Sequence, residues 1–125
     1  MSIFGIGTDI VQIKRIEQSI ERFDTRFIQR VFTDAEYKLA QQRGTYRRLA
    51  MFFAAKEAVS KALGTGFIGF GMKDVEVFYL ESGQPQIKLH NQAQQLAQKH
   101  DVQCIHLSLS DDAGAAMAFA VAESG

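Results

Sequence analysis

Two carboxylates and a lysine are the residues of this chain whose types and spacing best suit chemistry. Glu57 and Lys61 stand four apart in Phe53-Ala-Ala-Lys-Glu-Ala-Val-Ser-Lys61, which places both on one face of a helix. On a solvated face such a pair is an ion pair worth only about 0.3–0.5 kcal/mol. Here the same face carries Ala50, Phe53 and Ala54, so the pair is expected on a partly buried stripe. Lys56 points about 100° away and reads equally well as a solvent-facing lysine. Asp9 lies in Ile3-Phe-Gly-Ile-Gly-Thr-Asp9, on the strand face that carries Gly5 and Gly7, where a carboxylate has open space for a ligand. Asp9 and Glu57 together could hold a hard cation, since Mg²⁺ typically takes one or two carboxylates and fills its remaining positions with water and phosphate oxygens. The competing reading makes Asp9 a cap for the helix that follows it.

Other motifs are weaker. Gly64-Thr-Gly-Phe-Ile-Gly69 matches G-x-G-x-x-G letter for letter, but a helix precedes it and a strand is expected after it, the reverse of a dinucleotide-binding context. Phe70 and Gly71 stand where a P-loop needs Lys and Ser or Thr. Gly64, Thr65 and Gly66 are then a helix end and turn that can still offer backbone N–H groups to a phosphate. His106 shares a strand face with Cys104, Ser108 and Ser110 and reads as a packed histidine. Cys104 itself, flanked by Gln103 and Ile105, reads as core. No spacing of Cys and His suggests zinc.

The elements that must position these residues follow from periodicity and punctuation. Residues 2 to 11 read as a strand, with Phe4, Ile6, Thr8 and Ile10 on one face and Gly5, Gly7, Asp9 and Val11 on the other. A short helix follows to about Ser19 or Phe23. Thr33-Asp-Ala-Glu36 has capping-box spacing and opens a helix that ends near Gly44. A third helix runs from about Arg47 to Leu63 and stops at Gly64. Asp74 to Leu80 and Gln86 to Leu89 form a hairpin, Asn91 caps a helix ending near His100, and two closing strands run from Val102 and over Ala115 to Ala122. Helices and strands do not alternate regularly, so the expected class is α+β with a mostly antiparallel sheet packed against helices.

With 125 residues, 46% of them hydrophobic and 22% charged, residues 1–125 make one ordinary domain. Fourteen basic residues cancel fourteen acidic ones, which leaves no overall field for nucleic acid or an anionic membrane. The balance is uneven, however. Residues 1–60 carry ten Lys or Arg against seven acids, a local +3, with Lys14, Arg15, Arg22, Arg26 and Arg30 partly at helical spacing. That half reads either as a solvated face or as a docking surface for an acidic partner. A single cysteine forms no internal disulfide, the first residues lack a signal-peptide layout, and apolar runs such as Leu49 to Ala55 are far short of a membrane span. A reducing, cytoplasmic setting is expected.

Gly7-Thr-Asp9-Ile-Val-Gln-Ile-Lys-Arg15, followed by Phe53-Ala-Ala-Lys56-Glu57-Ala-Val-Ser-Lys61-Ala-Leu-Gly64-Thr-Gly66, closely resembles the paired signature of the holo-acyl-carrier-protein synthases, the small phosphopantetheinyl transferases. Further similarity runs through Lys73 to Val77, Gly83 to Pro85 and Ile105 to Asp111. The resemblance implies the phosphopantetheinyl transferase fold. It also implies transfer of the 4′-phosphopantetheine arm of coenzyme A to a serine of apo acyl carrier protein, with release of adenosine 3′,5′-bisphosphate, in fatty acid biosynthesis. By the same resemblance Asp9 and Glu57 hold Mg²⁺ and Lys61 steadies the phosphates. The base is either Glu57 or a water that Asp9 or Glu57 helps to deprotonate. Gly64, Thr65 and Gly66 approach the coenzyme A, His106 lies near its nucleotide end, and Arg15 and Arg22 grip the acidic carrier. The small members of the family assemble as homotrimers with active sites at subunit boundaries. One position departs from the pattern: Phe52 stands where relatives commonly have an Arg that touches the coenzyme A phosphates. The missing contact must then come from Arg48, Lys56 or a neighbouring subunit.

Overall fold

A computed structural model describes residues 1–125. The chain runs β1 (Ser2–Gln12), α1 (Ile13–Phe23), α2 (Thr25–Val31), α3 (Asp34–Gln41), α4 (Thr45–Ala62), a 3₁₀ turn (Met72–Asp74), β2 (Val75–Tyr79), β3 (Pro85–Leu89), α5 (Asn91–Lys99), β4 (Val102–Asp112) and β5 (Ala115–Ser124). The α+β class is as expected. The strands form two antiparallel sheets, a three-stranded one in the order β1-β5-β4 and a separate hairpin of β2 and β3. No helix is long and apolar enough to cross a membrane.

The core lies between the three-stranded sheet and α4. Every second residue of β5 from Ala116 to Ala122 is a buried alanine, and α4 answers with buried Ala50, Ala54, Ala58 and Ala62. Small side chains on both surfaces let the helix axis approach the sheet closely, and dispersion contacts accumulate along the seam. Phe32, Leu49, Phe52, Val59, Leu63, Val75 and Val77 fill the flanks. Since α4 is covered on several sides, it has no single apolar stripe.

Several local expectations hold. Thr33 Oγ1 accepts from the Glu36 N–H at 3.1 Å and Glu36 Oε1 accepts from the Thr33 N–H at 2.9 Å, a complete capping box. Others are corrected. Asp24, at φ 54°, breaks the chain into α1 and a second short helix, α2, which has no side-chain cap to announce it. No strand follows the glycine cluster; bends lead from Gly64 into the 3₁₀ turn. Asn91 is the first residue of α5 and His90 its N-cap, with no side-chain cap bond, while Asn91 Nδ2 donates to Asp74 Oδ1 at 3.0 Å. Cys104 is exposed, because the face it shares with His106 points away from α4.

Candidate active site

Gly5 and Gly7 position the site by what they lack. Both face α4, and a methyl group built on Gly5 would overlap the carbonyl oxygen of Ala62, while one on Gly7 would overlap that of Ala58. The space beside Asp9 that the sequence assigned to a ligand is therefore occupied by helix backbone. The consequence still serves the site. With Ala58 and Ala62 pressed on β1, the neighbouring positions 57 and 61 are carried to the rim of the strand where Asp9 projects.

Lys61 Nζ donates to the Thr8 carbonyl oxygen at 2.9 Å and lies 3.5 Å from Asp9 Oδ1. Asp9 and Glu57 share a cleft of about 330 Å³ whose other walls include Arg15, Ser19, Phe27 and Phe53. Glu57 is half-buried, and its carboxyl pKa is raised above the ordinary 4.5, first by burial and then by the nearby Asp9 carboxylate, with Lys61 opposing. The capping reading of Asp9 fails: the N-cap of α1 is Gln12, and no side chain caps that end. Two carboxylates and an ammonium thus meet where an anion or a dication can reach them.

Lys56 takes a different course. Its side chain is 0% exposed, as is that of Glu36. Nζ donates to Glu36 Oε1 at 2.8 Å and Oε2 at 2.9 Å, to the Met72 carbonyl at 3.0 Å and to the Val75 carbonyl at 2.6 Å. Burial lowers the Lys56 pKa against the pull of Glu36. Glu36 also accepts the Val77 N–H at 2.8 Å. One ion pair therefore ties α3, α4 and the β2 end of the hairpin together, one residue away from Glu57. A solvent-facing lysine was one reading of the sequence; the 3.6-residue period alone does not say what stands opposite position 56.

The model of the 4′-phosphopantetheinyl transferase superfamily matches residues 5–120. The chain belongs to this superfamily. It is similar to the holo-[acyl-carrier-protein] synthase of Vibrio atlanticus, 42% identical over 99% of this chain and 100% of the relative. A synthase of the same name from Serratia proteamaculans is 44% identical over 98% and 99% of the two chains. Among solved structures, the holo-[acyl-carrier-protein] synthase of Neisseria meningitidis superposes with a TM-score of 0.91 at 35% identity, covering 98% of this chain and 99% of the other. The Helicobacter pylori synthase, crystallised in complex with coenzyme A, gives a TM-score of 0.85 at 34% identity over 94% and 99%.

In this phosphopantetheinyl transferase Phe52, the position at which the resemblance implied an Arg, is fully buried. Its ring packs against Tyr79 with centroids 6.1 Å apart. Arg48, one turn earlier on α4, lies with its guanidinium carbon 5.2 Å from the centre of the Tyr79 ring and donates to Tyr79 Oη at 2.7 Å. The Arg48 Nε is buried without a partner. Of the two substitutes within the chain, Lys56 is spent in the core and Arg48 retains donor capacity.

The remaining expected residues of this transferase spread outward from the cleft. Gly64, Thr65 and Gly66 follow the C-terminal end of α4. The N–H of Gly64 is bonded to the Lys61 carbonyl at 3.0 Å and that of Gly66 to the Ser60 carbonyl at 3.2 Å, so these two amides are not free for a phosphate. What the glycines leave open is space: both have positive φ, and an added Cβ would meet nothing within 4 Å. Arg15 lines the cleft, and Arg22, two turns along α1, is exposed with its guanidinium 5.3 Å from the Phe23 ring centre. His106 is not brought to the cleft. It stands on the outer face of β4, across β5 from β1, where Asp9 faces inward.

Proposed function

We propose that the chain transfers the 4′-phosphopantetheine arm of coenzyme A to a serine hydroxyl of apo acyl carrier protein, releasing adenosine 3′,5′-bisphosphate, as a step that serves fatty acid biosynthesis in the cytoplasm. The observation that carries this reading is the meeting of Asp9 and Glu57 in one cleft with the Lys61 ammonium beside Asp9, within the superfamily to which the chain belongs. The serine oxygen attacks the β-phosphorus of the pyrophosphate, and the bond from that phosphorus to the bridging oxygen breaks. Lys61, anchored by the Thr8 carbonyl with its ammonium still open to solvent, meets the negative charge on the phosphates and on the departing nucleotide. Glu57 takes the serine proton. While no cation is bound, its burial and the Asp9 charge raise its proton affinity above that of an ordinary carboxylate.

Asp9 and Glu57 also suit Mg²⁺, because two carboxylates that repel each other are a donor set a hard dication relieves. When bound there, Mg²⁺ supplies positive charge against the pyrophosphate oxygens. A carboxylate has two oxygens, so Glu57 can serve the ion with one and the serine proton with the other. Gly64, Thr65 and Gly66 provide bare surface for the coenzyme, and Arg48 takes over the phosphate contact absent at Phe52.

Arg15 and Arg22 share one exposed face of α1, and with exposed Arg26 and Arg30 they form a cationic surface for the acidic carrier. The outer face of the sheet carries Ile6 at 59% exposed, Ile10 at 63%, Met117 at 46% and Phe119 at 44%. An apolar strip of this kind asks for cover, and a second copy of the chain supplies it in a homotrimer. His106 lies on that same outer face, so a coenzyme touching both His106 and the Asp9 cleft does so across a subunit boundary.

The test is intact-mass spectrometry of an apo acyl carrier protein incubated with the protein, coenzyme A and Mg²⁺. A gain of one phosphopantetheine arm that disappears with EDTA supports the reading. Coenzyme A consumption without gain would instead indicate hydrolysis, and neither event with several carriers would overturn it.

A further inference from the structure

On the outer face of the sheet, away from the Asp9 cleft, β4 and β5 bring together three side chains that the proposed reaction does not need as a group. Cys104 and His106 are two apart on β4 and project to the same side. Just past an irregularity between Val102 and Cys104, the register sets Cys104 directly opposite Glu123 of β5. Cys104 Sγ is 3.9 Å from His106 Nδ1, and His106 Nε2 is 3.2 Å from Glu123 Oε1. One ligand atom from each of the three lies within 4.8 Å of the other two. Glu123 pairs with no lysine or arginine, and none of the three is hydrogen-bonded to any other side chain.

The geometry points to a zinc-class divalent metal site formed by Cys104, His106 and Glu123, with a fourth position open to water. A thiolate, an imidazole and a carboxylate are the donors Zn²⁺ takes. Metal-ligand lengths of about 2.0–2.3 Å in a tetrahedron set neighbouring ligand atoms about 3.3–3.6 Å apart. Cys104 and Glu123 approach opposite nitrogens of the His106 ring, so for one ion the three side chains turn toward a single ring nitrogen and close from within 4.8 Å to that range, a rotamer adjustment and not a backbone movement. Strand pairing supplies the backbone positions in advance, so little order has to be created on binding. Mg²⁺ is a poor occupant, since it prefers six oxygens, and a soft thiolate selects against it. The two proposed metal sites therefore divide by chemistry: hard at Asp9 and Glu57 inside the sheet, softer at Cys104, His106 and Glu123 outside. The C-x-H spacing was not informative as sequence, because the third ligand comes from the neighbouring strand.

Cobalt serves as the probe. Titrating Co²⁺ into the reduced, metal-free full chain should give a thiolate-to-cobalt charge-transfer band saturating at one ion per chain, with Zn²⁺ displacing it. Cys104→Ser should abolish the band, and His106→Gln and Glu123→Gln should each weaken binding at least about tenfold, since even groups behind a metal's ligands are worth about 10–100-fold. Asp9→Asn should keep the band. Cys104 is the only cysteine, so thiol labelling reads this site alone, and Zn²⁺ should slow it at least tenfold in the wild type but not in His106→Gln. Absence of the band in the wild type, its survival in Cys104→Ser, undiminished affinity in both His106→Gln and Glu123→Gln, or its loss in Asp9→Asn overturns the site. Within one chain Cys104 and His106 are exposed and Glu123 is half-buried, so none of the three is in the core, and an unchanged metal-free Tm confirms that the variants fold. Failure here leaves the transferase reading intact, because the mass-spectrometric test measures that independently.

Discussion

Replacing Lys56 with Met separates a lysine that builds the fold from one that meets substrate. Met nearly matches Lys56 in length and fills its channel, but it removes the three N–H donors and with them all four contacts, two to Glu36 and one each to the carbonyls of Met72 and Val75. The Glu36 carboxylate is left buried without its cation. Breaking a buried pair from one side costs about 3–5 kcal/mol. Glu36 keeps the N–H groups of Val77 and Thr33 as partners, so the lower part of that range, about 3 kcal/mol, is expected. A domain stable by about 5–15 kcal/mol survives such a loss in water. With a urea m-value of about 1.5 kcal/mol/M, the unfolding midpoint falls by about 2 M. Adding Glu36→Gln removes the orphaned charge, so the double variant should lose less than the two singles combined, with a coupling of about 2 kcal/mol. Calorimetric titration of the folded Lys56→Met variant should give a coenzyme A affinity within about threefold of wild type. A stability loss under about 1 kcal/mol would refute the burial argument. A tenfold affinity loss at unchanged stability would put Lys56 at the ligand.

Gly7→Ala forces a methyl against the Ala58 carbonyl, so it should cost about 1–3 kcal/mol in thermal unfolding and slow Mg²⁺-dependent transfer by moving α4 off β1; wild-type values for both would show that the close approach is not needed. The folded-state pKa of Glu57 lies above its ordinary 4.5, so without divalent metal the fold loses stability as pH rises from about 4.5 through the raised value. The Tm advantage of Glu57→Gln over wild type should therefore grow between pH 4 and 7 and reverse when Mg²⁺ is added; a pH-independent difference contradicts the assignment. Ile6→Glu with Phe119→Glu places charge on the exposed apolar strip, and sedimentation should show monomers, whereas a persisting trimer would move the interface elsewhere. Reversing Arg15 and Arg22 to Glu should raise the KM for the carrier protein at least tenfold and flatten its salt dependence, while the affinity for coenzyme A changes much less with Arg22→Glu alone; an unchanged KM removes α1 from the docking surface.

The Asp9 cleft and the core share one cause, the contact between a glycine-bearing strand and an alanine-rich helix. Selecting small residues on β1, β5 and α4 sets the separation of sheet and helix, and that separation decides how far Asp9 stands from Glu57 and Lys61. The buried Lys56–Glu36 pair then fixes the rotation of α4 about its axis. Substitutions far from substrate can accordingly alter catalysis, because positioning errors of about 1 Å cost rate.

What the sequence determined by itself was local or carried by long motifs. The alternation of residues 2 to 11, the capping box at Thr33, the composition of α4 and the turn before Pro85 each encode their element within one or two turns of chain, and all four are observed. The paired motifs around Asp9 and Glu57 were enough to place the chain in its superfamily. What only the tertiary structure decided concerns partners distant in sequence. Gly5 and Gly7 read as room for a ligand, but Ala58 and Ala62, over fifty residues on, occupy that room. A helix cap was one of two readings of Asp9, and it falls because Gln12 takes the N-cap position. Lys56 was ambiguous because its environment is set by Glu36, Met72 and Val75, three segments that no periodicity connects. Cys104 read as core because the face of a strand that is buried depends on where the helix packs, and α4 packs on the other one. A period specifies which residues share a face; only the packing of another element specifies whether that face is dry, charged or open to water.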